Sequence, residues 1–128
     1  MRYEFYKYLT KNNMIKKFPF LEPQSKSPGV ILYQVDFKHF GNNRVPFAGG
    51  KFHLDVGSIS KPDTHDFSEC WMITQGSGIL NYDKVDYPVT QGDFLFFEPQ
   101  KTHFIHNTGI EQIIIYTVWW LEKNVRNV

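Results

Sequence analysis

Cysteine is almost absent: Cys70 is the only one in 128 residues, so no intrachain disulfide can form. A reducing cytoplasm is therefore the expected compartment. Long apolar runs are missing too. The longest, Ile113–Leu121, falls far short of the ~20 residues that a membrane-crossing helix needs. The N-terminus lacks the apolar core of a signal peptide, so the expectation is a soluble, intracellular protein with no membrane partner. Charge of one sign is lacking as well. Lys and Arg number 14 and Asp and Glu 13, for a net charge of +1. Nothing global then points to nucleic acid or an anionic surface. No segment leaves room for a helix-turn-helix, and neither repeats nor low-complexity tracts occur.

Aromatic residues are abundant, at 17% of the chain with 12 Phe, 7 Tyr and 3 Trp. Such residues suit strands and the walls of apolar cavities, which favours an all-β domain with a pocket. A hydrophobic content of 41% with 21% charged residues is that of an ordinary globule, and the length fits one domain. The charge is unevenly spread. Residues 1–17 hold Arg2, Lys7, Lys11, Lys16 and Lys17 against Glu4, whereas residues 63–98 hold seven acids against Lys84. This describes a solvated basic arm beside an acidic barrel, or an arm that recognises an anion or a partner.

Residues 1–28 read as an N-terminal arm and linker, and residues 29–128 as the folded domain. Pro19, Pro23 and Pro28, with Ser25, Ser27 and Gly29, impose an extended chain. From Val30 onward, short strands alternate with turn residues, the pattern of a sandwich or barrel. Strands are expected at Val30–Phe37, Lys51–Val56, His65–Thr74, Ile79–Tyr82, Val85–Val89, Phe94–Phe97, Thr102–Asn107 and Glu111–Leu121. The pair Asp83-Lys84 reads as a hairpin turn.

Two stretches carry the chemistry. Asp63, His65 and Glu69 fall on odd positions of one apparent strand, so alternation aims all three into the same interior. His103 lies on another strand. Two imidazoles with two carboxylates suit a borderline to hard divalent ion such as Fe(II), Mn(II), Zn(II) or Ni(II). Burying two carboxylates without a cation would be costly.

The same stretches resemble the two motifs of the cupin superfamily. Gly57, Asp63, His65, Glu69 and Gly76 hold the spacing of the first motif, with Asp63 where the family has its first His. Gly92, His103 and Asn107 hold the spacing of the second, with Glu98 and Gln100 where Pro and Gly are usual. The resemblance implies a small antiparallel β-barrel, a double-stranded β-helix or jelly roll. It also implies metal ligands at Asp63, His65, Glu69 and His103. Within the superfamily the run from Asp63 to Glu69, with the second motif, is similar to AraC-type sensor barrels. Those bind small ligands, often sugars, and pass the signal to a helical DNA-binding domain, before which this chain ends.

Trp71 and Ile73 continue the face of Glu69 and are expected on the cavity wall, as ligand contacts or as core. Tyr82 flanks the hairpin, where its phenol reaches a ligand or braces strands. His53 is either a pocket-wall donor or a satisfied core or surface histidine. Asn107 shares the face of His103 and could orient the site. Alternation from Glu69 turns Cys70 away from the interior, as a structural thiol. Trp119 and Trp120 point oppositely, so one leaves the interior and marks a covered surface, for which a homodimer is the economical explanation. Two functions follow. One is a metal-dependent isomerase, lyase or dioxygenase acting on a small polar metabolite. The other is a non-catalytic barrel binding a sugar-like ligand.

Overall fold

The computed structural model describes residues 15–41 and 44–122. Arg2, Glu4, Lys7 and Lys11 of the basic arm lie outside them. Nine strands and no helix occur among the described residues, and no helix is long and apolar enough to cross a membrane. In chain order the strands are β1 (Gln24–Ser27), β2 (Val30–Gln34), β3 (Ala48–Leu54), β4 (Ser68–Gln75), β5 (Ser77–Tyr82), β6 (Val85–Thr90), β7 (Phe94–Phe97), β8 (His103–His106) and β9 (Ile113–Trp120).

Every ladder is antiparallel. Six strands form one sheet in the order β1-β2-β3-β9-β4-β7, and three form the other in the order β6-β5-β8. The two sheets close over an apolar core that includes Val30, Leu54, Ile73, Leu80, Phe97 and Ile115, all at most 3% exposed. Burying one such side chain contributes about 1.5–3 kcal/mol. A single hydrogen bond nets about 1 kcal/mol. Alternation of apolar residues, more than the ladders, therefore decides which face of each strand turns inward.

Along β4 the side chains of Glu69, Trp71 and Ile73 are buried while Cys70 and Met72 face the other way, as alternation predicts. The β5–β6 hairpin turns at Asp83 and Lys84, both in the left-handed region at φ 51° and 72°, which is the conformation a two-residue type I′ turn requires. Gly78 fills a place where only hydrogen fits, since an added Cβ would lie 2.4 Å from the His106 carbonyl oxygen.

Two expectations need correction. Residues 24–27 do not serve merely as a linker: their extended chain pairs with β2 and forms the edge of the larger sheet. The expected strand His65–Thr74 begins only at Ser68. The run Lys61-Pro62-Asp63-Thr64-His65-Asp66 is poor in strand formers, and Pro62 has no N–H to give a ladder. Asp63 and His65 thus belong to an irregular segment rather than to the strand that carries Glu69.

Candidate metal centre

That irregular segment is held against β8. The Ser60 N–H donates to the Ile105 carbonyl, and Asp63 and His103 exchange both backbone hydrogen bonds at 3.0 Å. Asp63 therefore stands directly across from His103. The Thr64 and Thr102 hydroxyls lie 2.6 Å apart, the Gln100 N–H donates to the His65 carbonyl at 2.8 Å, and the Gln100 side-chain amide donates to the Asp66 carboxylate. Gln100 makes these contacts at φ 68°. It occupies the place where the family motif has glycine, so the left-handed backbone survives here with a side chain on it.

The four predicted ligands come together. One donor atom from each of Asp63, His65, Glu69 and His103 lies within 4.8 Å of the others. Ligands held ~2.0–2.2 Å from a common ion lie up to about 4.4 Å apart, so small side-chain adjustments would close the set on one cation. Glu69 is the centre: its Oε1 is 3.0 Å from His65 Nε2 and 3.2 Å from His103 Nε2. The Asp63 carboxylate is 3.8 Å from His65 Nε2.

The histidines are oriented for ligation. His65 Nδ1 lies 3.1 Å from the Phe67 carbonyl, and His103 Nδ1 lies 3.2 Å from the Lys101 carbonyl. A carbonyl oxygen only accepts, so each Nδ1 must carry a proton. In the neutral imidazole this leaves both Nε2 lone pairs directed at Glu69 Oε1. Three electron-rich atoms facing one another need protons or a cation between them. The donor set therefore fits a divalent metal.

Glu69 is itself prepared. Its other oxygen, Oε2, accepts from Trp71 Nε1 at 2.9 Å and from the Thr117 hydroxyl at 2.5 Å. Burial alone would raise its pKa, but with a proton rather than a metal between Glu69 and His103, hydrogen bonding to His103 and Thr117, the field of His103 and the Trp71 bond outweigh it and hold the carboxyl below its ordinary value. His103 is clamped by rings. Phe97 stacks on it at 4.3 Å and Trp71 meets it edge-on at 5.6 Å.

A cavity of about 300 Å³ opens beside these groups, with Trp71, Glu69, His103 and Asp63 on its wall. The other expected contacts lie elsewhere. Tyr82 is not on the cavity: it stacks behind Phe97 at 5.3 Å, and its hydroxyl accepts from the Glu98 N–H. His53 faces the outer surface, because its neighbours Phe52 and Leu54 take the cavity side. Its ring packs 4.9 Å from Tyr33 and its Nε2 meets no hydrogen-bond partner among the described residues. Burial, then the charge of Lys51, lowers its pKa. Asn107 is buried as a brace, its amide donating to the Leu54 and Glu111 carbonyls and its oxygen accepting from Gly109 N–H.

Alternation did not single out Thr117, yet a hydroxyl at an inward position among Ile113, Ile115 and Trp119 was a visible signal. Lys26, Ser60 and Lys61, also on the cavity wall, left no trace in the motifs.

A model of the cupin domain matches residues 50–119, more than half of the chain. The chain belongs to the cupin family. The barrel is similar to solved cupin structures across most of its length. A predicted oxalate decarboxylase from Thermotoga maritima is 24% identical, with a TM-score of 0.67 over 79% of this chain and 91% of that one. The plu4264 protein of Photorhabdus luminescens is 22% identical, with a TM-score of 0.69 over 90% of this chain and 93% of that one. A Cupin 2 conserved barrel domain protein from Salinispora arenicola is 26% identical, with a TM-score of 0.63 over 75% and 81%. These likenesses concern the fold. The jelly-roll barrel agrees with the expected all-β class, while the reaction is a property of the site.

Proposed function

We propose that this cupin binds one divalent metal ion through Asp63, His65, Glu69 and His103 and uses it to act on a small molecule held in the adjoining cavity. The observation that carries this reading is the meeting of two imidazole Nε2 atoms with Glu69 Oε1, both rings being fixed through Nδ1. A divalent ion bound there would supply Lewis-acid polarisation of a ligand oxygen, the chemistry of an isomerase, lyase or dioxygenase. The protein's own part is to orient that ligand against Trp71, to keep the Glu69 carboxylate ionised, and to exclude water with the apolar wall.

Metal analysis of protein purified without added metal, followed by titration with Fe(II), Mn(II), Zn(II) and Ni(II), tests the reading. About one equivalent of bound metal is expected. Less than about 0.1 equivalent, with no uptake on titration, would sink it and favour a barrel that binds its ligand without metal or turnover.

We also infer a homodimer. On the outer face of the larger sheet Phe94, Phe96 and Tyr116 are 68%, 52% and 41% exposed, and Trp120 stacks beside Phe96. Register places Phe94, Met72 and Tyr116 in one row, and Phe96, Cys70 and Val118 in the next. So many apolar groups on one face suit a second copy of the chain. Light scattering of the Phe94→Ser, Phe96→Ser double variant should report a monomer where the parent reports a dimer, and a monomeric parent would refute the inference.

A further inference from the structure

The cavity has two unlike ends. Its buried wall is aliphatic, with Val30, Leu54, Ile105 and Ile115 each at most 1% exposed. Its exposed lining residues are Lys26, Lys61, Pro62 and Asp63, so these mark the mouth. The lysines come from different parts of the chain, one from the edge strand β1 and one from the segment that carries Asp63. Neither makes an ion pair among the described residues.

Charge counting gives the ligand a sign. With a divalent ion in place, the Asp63 and Glu69 carboxylates are neutralised and the two histidines are neutral. Lys26 and Lys61 then leave an excess of two positive charges around the cavity. The wall gives the ligand a body. Among the named lining side chains the only neutral hydroxyl is Ser60, whose oxygen already accepts from the Ile105 N–H at 2.9 Å. Each hydroxyl of a sugar buried here without a partner would cost about 1–3 kcal/mol. Each methylene buried against this wall would contribute about 0.8 kcal/mol.

From this arrangement we propose that the cavity selects a small carboxylic acid with an apolar body, its carboxylate held at the mouth by Lys26 and Lys61 and its hydrocarbon part directed at Val30, Leu54, Ile105 and Ile115. The charge excess rests on the metal reading above, whereas the lysine pair and the aliphatic wall do not. The proposal replaces the expected sugar-like ligand with an acid of another chemical class. At about 300 Å³ the cavity lies at the lower end of ligand-site volumes, which suits a compact acid.

Calorimetry with hexanoate, hexanamide and glucose, on zinc-loaded and zinc-free protein, tests the assignment. Hexanoate should bind the zinc-loaded form about tenfold or more tighter than hexanamide, and glucose should not bind. The Lys26→Gln, Lys61→Gln double variant should lose about tenfold or more of the hexanoate affinity while hexanamide binding stays the same. Lys38→Gln, an exposed lysine away from the cavity, serves as the control and should change nothing. Equal binding of acid and amide, indifference to the lysine changes, or no hexanoate binding in either form would each overturn the proposal. Failure of zinc to bind is a separate result: it removes the metal reading. Hexanoate binding by the zinc-free protein that the lysine variant abolishes would still support the acid.

Discussion

The two halves of the candidate metal centre are built differently. Glu69 and His103 stand on β4 and β8, are 5% and 2% exposed, and are fixed on several sides by Trp71, Thr117 and Phe97. Asp63 and His65 stand on an irregular segment, with side chains 62% and 16% exposed, held to the 98–103 turn and β8 by a handful of hydrogen bonds. The strand-borne pair is therefore part of the core, and its ligand geometry is bound up with folding. The segment-borne pair is joined to the core mainly through the Asp63–His103 backbone pairing. It completes the site, and the difference between the halves is measurable.

The largest effect is expected from the strand-borne half. Glu69→Ala or His103→Ala should lower metal affinity by about 100-fold or more, since four ligands share roughly 10–16 kcal/mol of binding free energy. His103→Ala should also destabilise the metal-free protein by about 3 kcal/mol, because it strips one partner from a buried carboxylate. Thermal melts beside metal titrations check both effects. Asp63→Ala should fall well short of this. Its affinity loss is expected at about tenfold, the effect of one exposed ligand, with stability unchanged to within about 0.5 kcal/mol. An Asp63 variant as damaging as the Glu69 variant would show that the halves are not distinct.

Thr117→Val asks how far the buried half depends on the groups behind it. Removing the hydroxyl leaves Glu69 Oε2 with Trp71 alone, and metal affinity should fall about 10-fold. Thr117→Ser, which keeps the hydroxyl, should restore most of it. The smallest change is expected in the segment. Gln100→Gly relieves a left-handed backbone that costs a side chain about 1–2 kcal/mol, and it removes the amide bond to Asp66. Stability should rise by up to about 1 kcal/mol while metal affinity drops a few-fold as His65 loosens. A parallel rise in both would mean that the segment needs no such tie.

Much of this was legible in the amino-acid pattern. Alternation alone aimed Glu69, Trp71 and Ile73 inward and Cys70 outward, because apolar burial outweighs any single ladder bond and the strand period is two. Asp83-Lys84 announced its hairpin, and the motif spacing picked the four residues that cluster. The same alternation brought Asp63 to the cluster by the wrong route and aimed it into the interior, whereas its side chain stands at the exposed mouth of the cavity. It placed Asp63 on the strand of Glu69, whereas the residue reaches the cluster by pairing with His103 on β8. Alternation also left open the side taken by His53 and the work done by Asn107 and Tyr82. Those depend on which neighbour covers each strand.

By itself, then, the sequence determined a cupin barrel and a two-histidine, two-carboxylate set, since both rest on periodicity and spacing along one chain. Only the tertiary structure decided that two of the four candidate ligands are buried on strands while two stand on a more exposed segment, and that Thr117 and Phe97 pack against the buried pair. It also placed Lys26 of the sheet edge and Lys61 of the irregular segment on the lining of one aliphatic cavity. Such meetings arise between residues far apart in the chain, through strand order and register, which no local pattern encodes.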